Sequence, residues 1–223
     1  MRSDLSGAVI IFDLDGTLID TAGDLAAAMN HALKTAGRPA IDPGEVRHLV
    51  GHGARAMLVR GFEETGGAPG AEEMDAHVSV FLDYYLAHIA DQSRPFPGAV
   101  EAIEAMREAG ARAAICTNKR EAPARLLIET LGLAPLFSAI VGMDTTTAAK
   151  PDPAPVLHSL SLSGAKRGVF IGDSDTDIRA ATAAGMPCLI GSFGYGPVTL
   201  ADKATGVFGH YDELTALVRS ALA

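Results

Sequence analysis

The stretch Phe12-Asp13-Leu14-Asp15-Gly16-Thr17-Leu18-Ile19-Asp20, written FDLDGTLID, follows directly on an apolar run, Ala8-Val9-Ile10-Ile11. A short apolar run of this kind is typical of a strand buried on both faces of a parallel sheet. It ends in two carboxylates, Asp13 and Asp15, and then in a glycine that allows a sharp turn. The stretch therefore predicts a buried strand that presents acidic groups at its carboxyl end.

The composition indicates a folded protein and argues against a nucleic-acid partner. The chain has 223 residues, of which 48% are apolar and 20% charged, and its formal net charge is −9. Such a chain can bury a sizeable core, as one large domain or as a core with one inserted domain. Nucleic acid requires a basic surface. A phosphorylated small molecule remains possible, because a bound metal can reverse the local charge.

Cysteine usage and hydropathy bear on the compartment. Cys116 and Cys188 lie far apart in apolar segments, which predicts buried, reduced thiols. No stretch approaches the length that spans a membrane, and the N-terminal residues lack the apolar segment of a secretory signal. We therefore expect a cytoplasmic protein with no membrane partner.

The pattern changes twice along the chain. Residues 18–94 contain Ala-rich segments at helical spacing, such as 24–33, and helices are also predicted at 45–50, 54–64 and 71–89, with no convincing strand. Beyond residue 95, strands alternate with short helices. We predict strands at 111–117, 138–141, 169–171, 187–190 and 204–208, and helices at 99–109, 123–131, 155–162, 175–184 and 211–222. Alternation of this kind is typical of parallel βαβ units. The predicted fold class is α/β, with a doubly wound parallel sheet in residues 1–17 and 95–223 and an inserted all-helical domain at 18–94.

Polar groups follow the predicted strands at their carboxyl ends. Asp13 and Asp15 follow the first strand, Thr117-Asn118-Lys119 the next, and Gly172-Asp173-Ser174-Asp175-Thr176-Asp177 a third, while Lys150 precedes another helix. Ligands of open parallel sheets bind beyond these strand ends. Any one of these residues could simply cap a turn or a helix. Their joint occurrence favours a shared site.

The predicted set of side chains suits a metal ion and a phosphoryl group. Carboxylate oxygens suit Mg²⁺, although the sequence does not separate Mg²⁺ from Mn²⁺, and no His/Cys cluster suggests zinc. Phosphoryl transfer requires mainly positioning and charge neutralisation, which carboxylates with Mg²⁺, a lysine and hydroxyl and amide donors can supply. A carboxylate can also act as the nucleophile and form an acyl phosphate.

Four motifs resemble, in order, those of the haloacid dehalogenase (HAD) superfamily. They are Phe12–Thr17 (FDLDGT), Thr117-Asn118, Lys150-Pro151, and Gly172-Asp173-Ser174 with Asp177, and together they extend over most of the chain. The helical insert resembles the cap domain of the subgroup that contains phosphoglycolate phosphatases, β-phosphoglucomutases and dehalogenases. The resemblance implies a HAD catalytic core with a helical cap.

The resemblance also implies roles for the two acids of the first motif. Asp13 would attack phosphorus, and it would bind Mg²⁺ together with the backbone carbonyl of Asp15 and the carboxylate of Asp173. Asp15 would protonate the leaving oxygen and then activate water against the aspartyl-phosphate.

The later motifs would hold the phosphoryl group and the charges around it. Thr117 and the Asn118 backbone would bind the phosphoryl oxygens. Lys150 would neutralise charge on Asp13 and on the phosphate. Asp177 would support the metal shell or bind Lys150.

The acid at position 15 narrows the choice of family member. Dehalogenases lack it, and phosphonoacetaldehyde hydrolases lack it too and use a cap lysine, whereas the only lysine of this insert is Lys34. We therefore expect a Mg²⁺-dependent phosphomonoester hydrolase. The alternatives are a β-phosphoglucomutase-like phosphomutase, a HAD phosphatase for another small phosphate ester or pyrophosphate, and a HAD-fold protein kept as a regulator.

One cap segment bears on the substrate. Val50-Gly51-His52-Gly53-Ala54-Arg55 resembles a segment of bacterial phosphoglycolate phosphatases. The resemblance implies a loop over the active site, with Arg55 or His52 near a substrate carboxylate. The segment can equally be a plain junction between helices with a solvated arginine. We expect a small phosphorylated metabolite, first of all phosphoglycolate, as the partner of a monomer or homodimer.

Overall fold

The computed structural model describes residues 5–51 and 53–223, so His52 lies outside the described residues. The chain divides into two compact units. One comprises the described residues up to Ile19 together with Pro95–Ala223, and the other comprises Asp20–Arg94. The boundary that we predicted after residue 17 differs from this division by two residues.

The described residues form eight strands and nine α-helices. The strands are β1 Ala8–Phe12, β2 Ile19–Asp20, β3 Arg94–Pro95, β4 Arg112–Cys116, β5 Ala139–Val141, β6 Arg167–Gly172, β7 Cys188–Gly191 and β8 Gly206–Phe208. The helices are α1 Ala22–Thr35, α2 Pro43–Val46, α3 Ala54–Glu64, α4 Ala71–Ala87, α5 Ala99–Glu108, α6 Glu121–Thr130, α7 Ala154–Ser163, α8 Asp175–Ala183 and α9 Leu214–Ala221.

A six-stranded parallel sheet forms the centre of the first unit. Its strand order is β5-β4-β1-β6-β7-β8, and each neighbouring pair runs parallel. All five residues of β1 are buried, because βαβ connections place helices on both faces of such a sheet. The register sets Ile10 opposite Ala113 of β4 and Val169 of β6. The prediction of an α/β fold with a parallel sheet is confirmed, and β1, β4 and β6 lie side by side.

The second unit is helical, as predicted. Its core contains Met29 and Leu33 of α1, Phe62 of α3, and Phe81 and Tyr85 of α4, all at most 2% exposed. Apolar residues at helical spacing therefore face one another across these three helices.

A buried carboxylate joins the two ends of this unit. Asp24, in the first turn of α1, accepts hydrogen bonds from Ser93 N at 2.8 Å, from Ser93 Oγ at 2.6 Å and from Gln92 N at 3.0 Å. A buried charge is tolerated when it is fully hydrogen-bonded in this way. Asp24 thus fixes the segment after α4 to the start of α1.

Three local predictions differ from the structure. The short strands β2 and β3, which form a separate two-stranded sheet, were not predicted, because two-residue strands carry no periodic signal. The helix predicted at 45–50 is α2 followed by a 3₁₀ turn, Arg47–Leu49. The helix predicted at 211–222 likewise begins as a 3₁₀ turn, Tyr211–Glu213. Such turns are common at helix ends.

The two cysteines are buried free thiols, as predicted. Burial raises the pKa of Cys116 to about 12 and that of Cys188 further. Both therefore serve as small apolar groups of the sheet. Among the described helices, none combines the length and the apolar character that crossing a membrane requires.

Candidate active site

The carboxyl ends of β1, β4 and β6 bring three sequence-predicted residues to one edge of the sheet. Asp13 N donates to Ile171 O at 2.8 Å, and Thr117 N donates to Val141 O at 2.9 Å. The parallel ladder therefore continues for one residue beyond β1 and β4. Because the backbone is fixed at these positions, Asp13 and Thr117 extend from rigid elements, next to Asp173 at the end of β6.

Three of the predicted acids form one cluster. Carboxylate oxygens of Asp13, Asp173 and Asp177 lie within 4.8 Å of one another. Lys150 Nζ lies 2.7 Å from Asp177 Oδ1 and 2.9 Å from Asp13 Oδ1, and 5.2 Å from the ring centroid of Phe170. The contact with Asp13 is an ion pair only, since Oδ1 of Asp13 is a buried atom that receives no hydrogen bond from the described residues.

Asp177 uses both of its oxygens within the protein. Its Oδ1 accepts from Lys150, and its Oδ2 accepts from Ser174 Oγ at 2.6 Å, Ser174 N at 3.1 Å and Asp173 N at 3.2 Å. With Ser174 it forms the capping box at the start of α8. A carboxylate in this place is favoured because it satisfies amide groups that the helix leaves unpaired.

Asp173 is held by residues to which we had assigned no role. Its Oδ1 accepts from Thr17 Oγ1 at 2.9 Å, and its Oδ2 accepts from Tyr195 N at 3.2 Å. Thr17 O in turn accepts from Tyr211 Oη at 2.7 Å. Thr17 belongs to the FDLDGT motif, so its place in that motif could have indicated that it lies near the site. Tyr195 acts through its backbone, which no side-chain pattern reveals.

Two glycines allow this close packing around Asp173. A Cβ on Gly16 would lie 2.5 Å from Asp173 Oδ2, and one on Gly194 would lie 2.3 Å from Asp173 Cβ. Gly16 also has a φ of +86°, which side-chain-bearing residues rarely adopt. The turn predicted at Gly16 is therefore present, and glycine is required there for two reasons.

Asp15 pairs with Lys119, a residue to which we had assigned no role from the sequence. Lys119 Nζ lies 2.9 Å from both carboxylate oxygens of Asp15, and the two side chains are only 8% and 11% exposed. Lys119 is two residues beyond Thr117, whose Oγ1 accepts from Lys119 N at 3.1 Å. The turn after β4 therefore carries a cation to the second acid of the first motif.

The side chain of Asn118 contacts the backbone of Lys150. Its Nδ2 donates to Lys150 O at 3.0 Å, and its Oδ1 accepts from Lys150 N at 3.0 Å. The first unit thus brings together all the predicted residues of the four motifs: Asp13, Asp15, Thr117, Asn118, Lys150, Asp173 and Asp177.

Comparison with known proteins places this chain in a family whose match includes the part of the chain that carries these residues. Residues 10–190 match the sequence model of the haloacid dehalogenase-like hydrolase family. This chain belongs to the haloacid dehalogenase-like hydrolase family. The match extends from β1 to β7 and so includes every residue of the cluster.

The similar relatives cover nearly the whole chain. The phosphoglycolate phosphatase of Mesorhizobium japonicum is 43% identical over 214 residues, which are 95% of this chain and 94% of that one. The phosphoglycolate phosphatase of Caulobacter vibrioides is 46% identical over 194 residues, 86% and 82% of the two chains. The crystal structure of a predicted phosphoglycolate phosphatase from Haemophilus somnus 129Pt is 27% identical, covers 96% and 99% of the two chains, and superposes with a TM-score of 0.87.

The electrostatics of this HAD site favour a bound cation. Burial, with the nearby charge of Asp177, raises the pKa of Asp13 to about 6 against the opposing effect of Lys150. Burial, Asp177 and Asp13 raise the pKa of Asp173 to about 7. Burial acts to lower the pKa of Lys150, but Asp13 and Asp177 outweigh it and the pKa is raised. With Asp15, four acids face two ammonium groups, so the site has a formal excess of two negative charges when all four acids are ionised.

The two predicted cap residues belong to the second unit. Arg55 lies in the first turn of α3, where its guanidinium pairs with Asp75, and the two side chains are 50% and 70% exposed. His52 lies outside the described residues. Gly51 and Gly53 both have positive φ values.

Proposed function

We propose that this HAD protein is a Mg²⁺-dependent phosphomonoesterase that transfers the phosphoryl group to Asp13. One observation carries the proposal: Asp13, at the rigid end of β1, lies in one cluster with Lys150 and Asp173. Asp15, two residues further along, is held by Lys119. A nucleophilic carboxylate, a charge-neutralising lysine and a second acid are the groups that a two-step phosphoryl transfer requires.

The residues present fit a divalent magnesium ion. Asp13 Oδ1 is buried and receives no hydrogen bond from the described residues, and the cluster has an excess of negative charge. The side chains that could ligate the ion all offer carboxylate oxygens, which Mg²⁺ prefers. Asp13, Asp173 and the backbone carbonyl of Asp15 would hold the ion. Asp177 would support it from outside, because both of its oxygens are engaged with protein donors.

When bound, Mg²⁺ would neutralise charge on Asp13 and on the phosphoryl oxygens. In the first step, a carboxylate oxygen of Asp13 forms a bond to phosphorus while the bond to the leaving oxygen breaks. Asp15, which enters this step as the carboxylic acid, gives its proton to that oxygen and becomes a carboxylate. Thr117 and Lys150 hold the phosphoryl oxygens, and the ammonium of Lys150 offsets their charge.

The second step releases phosphate. Asp15, now a carboxylate, takes a proton from water as the water oxygen attacks phosphorus. The bond between phosphorus and Asp13 breaks, which restores the Asp13 carboxylate. Lys119 keeps Asp15 oriented between its two roles, because one ammonium group contacts both oxygens.

We infer that the substrate is 2-phosphoglycolate. The relatives named phosphoglycolate phosphatase, which align over most of both chains, support this choice. Arg55 and His52 are the proposed cap partners of the substrate carboxylate, since arginine is well suited to bind one. The carboxylate would replace Asp75 as the partner of Arg55. A phosphorylated metabolite as substrate also supports a cytoplasmic location.

Phosphate release across a panel of small phosphomonoesters tests the proposal. With Mg²⁺ present, we expect kcat/KM to be highest for 2-phosphoglycolate, and we expect Asp13→Asn to abolish turnover of every ester. The panel includes β-glucose 1-phosphate, with glucose 6-phosphate as a monitored product. Formation of glucose 6-phosphate without phosphate release would contradict a hydrolase and indicate a phosphomutase.

The role of Arg55 has a matched control in the same helix. Arg55→Ala is expected to raise KM for 2-phosphoglycolate but not for an ester without a carboxylate. Arg60→Ala removes a similarly exposed arginine, which pairs with Glu64, and is expected to leave both KM values unchanged. Equal effects of Arg55→Ala on both esters would contradict a carboxylate contact.

A further inference from the structure

The side chain of Asn118 spans a gap of 32 residues in sequence to make two hydrogen bonds with one residue. Its amide donates to the carbonyl of Lys150 and accepts from the N–H of Lys150, both at 3.0 Å. A reciprocal pair of this kind satisfies both backbone groups of one residue. The two hydrogen bonds together fix both the position and the orientation of the Lys150 backbone.

Lys150 needs such a support because it has no regular structure of its own. It lies in the connection between β5, which ends at Val141, and α7, which begins at Ala154. Neither a strand ladder nor a helix therefore holds its backbone. Asn118, by contrast, is the second residue beyond β4, and the residue before it is held by a ladder hydrogen bond from Thr117 N to Val141 O.

The ammonium group of Lys150 has a closely defined position between two carboxylates. Nζ lies 2.7 Å from Asp177 and 2.9 Å from Asp13, and the side chain is 2% exposed. A long, flexible side chain can hold this position only if its backbone is fixed, since a displacement of about 1 Å is enough to misplace a catalytic group. The stability of the Asn118 contact therefore bears directly on the geometry around Asp13.

We propose that Asn118 is a positioning residue for Lys150: its side chain fixes the Lys150 backbone and thereby holds Nζ between Asp13 and Asp177. The proposal rests on the proposed function in so far as Lys150 neutralises the phosphoryl group. It separates the side chain of Asn118 from substrate binding, which the backbone of Asn118 would provide.

A double-mutant cycle on kcat/KM distinguishes the two roles. The variants are Asn118→Ala, Lys150→Met and the double variant, assayed by phosphate release from 2-phosphoglycolate. In the wild-type background we expect Asn118→Ala to lower kcat/KM by about 10- to 100-fold, mainly through kcat. In the Lys150→Met background we expect a further loss of less than about twofold, because residues that act through each other are not additive. Losses that multiply, or a loss confined to KM, would overturn the proposal.

The chain provides a matched control in its only other asparagine. Asn30 makes the same reciprocal pair with the backbone of Ile41, with both hydrogen bonds at 2.8 Å. Asn30→Ala removes an equivalent structural contact in the helical unit. We expect it to lower the melting temperature and to leave the cost of Lys150→Met unchanged. Equal coupling of Asn30 and Asn118 to Lys150 would mean a general effect on stability and would overturn the proposal.

A second measurement does not depend on activity or on the folding of Lys150→Met. Amide hydrogen exchange, followed by NMR, reports whether Lys150 N–H is protected. We expect Asn118→Ala to accelerate exchange at this amide by about tenfold, with the amides of β1 unaffected. Unchanged exchange at Lys150 would overturn the proposal. A wild-type protein that hydrolysed no ester would refute the proposed function and leave this result standing.

Discussion

Replacing Lys119 by Met removes one ammonium group and keeps most of the apolar stem. Nζ of Lys119 contacts both oxygens of Asp15 at 2.9 Å, and the two side chains are about nine-tenths buried. Breaking a buried pair on one side costs about 3–5 kcal/mol, because the remaining charge is left without compensation. Some solvent reaches this pair, so we expect Lys119→Met to lower the free energy of unfolding by about 2–3 kcal/mol.

The same change is expected to affect catalysis through the orientation of Asp15. Positioned general acid–base groups contribute about 10²- to 10⁴-fold, so partial loss of orientation should lower kcat by about 10- to 100-fold with little change in KM. Urea unfolding and phosphate release measure the two effects. Lys203→Met, at an exposed position of the same unit, is the control and is expected to change stability by less than about 0.5 kcal/mol.

The double variant Asp15→Asn/Lys119→Met gives the decisive comparison. Once Asp15 carries no charge, loss of the ammonium leaves no uncompensated carboxylate, so the double variant should be more stable than Lys119→Met alone. The electrostatic reasoning would be refuted if Lys119→Met and the double variant had the same urea midpoint. An unchanged kcat in Lys119→Met would refute the positioning of Asp15.

Three further predictions concern the acids. In metal-free protein, Asp13→Asn should not destabilise the fold. The pKa of Asp13 is about 6 in the folded protein, above its ordinary value of 3.8, so the ionisation of Asp13 opposes folding as the pH rises from about 4 to about 7. The urea midpoint of Asp13→Asn should therefore fall less steeply than that of the wild type over this pH range. Mg²⁺ at about 100 times its dissociation constant should stabilise the wild type by about 2.7 kcal/mol in thermal melts, and Asp173→Asn should lose most of this gain; an equal gain in the variant would contradict Asp173 as a ligand. Asp24→Ala should destabilise by about 2–4 kcal/mol in urea, because the amides of Gln92 and Ser93 lose a buried carboxylate; a change below about 0.5 kcal/mol would show that these amides find other acceptors.

The sequence could predict the sheet because its strands carry strong local signals. The run at 8–12 is apolar throughout, and β1 occupies those residues. β6 has a similar pattern over Gly168–Gly172, where every residue is buried. The carboxylates after these two strands therefore predict a cluster without any knowledge of the tertiary structure. Strands β2 and β3 could not be found in this way, because two residues carry no alternation.

Contacts that depend on tertiary approach were not predictable. The pairing of Asp15 with Lys119 joins residues 104 positions apart, and the hydrogen bond from Tyr195 N to Asp173 uses a backbone group. Asn118 was expected to contribute through its backbone, whereas its side chain contacts Lys150. In each case the residue types fitted their surroundings, but the partner was set by the path of a loop.

Asp177 explains why this site can be rigid although its charges repel. It completes the capping box of α8 through Ser174, and the same carboxylate binds the ammonium of Lys150. The helix start supplies donors for Oδ2, and Lys150 supplies one for Oδ1, so a fully buried carboxylate has all its partners. Capping stabilises α8 by about 0.5–2 kcal/mol regardless of function. The position of Lys150 beside Asp13 is therefore supported by contacts that folding already favours. Burial and the charge of Asp177 raise the pKa values of Asp13 and Asp173, and a bound metal ion would offset this effect by stabilising both carboxylates.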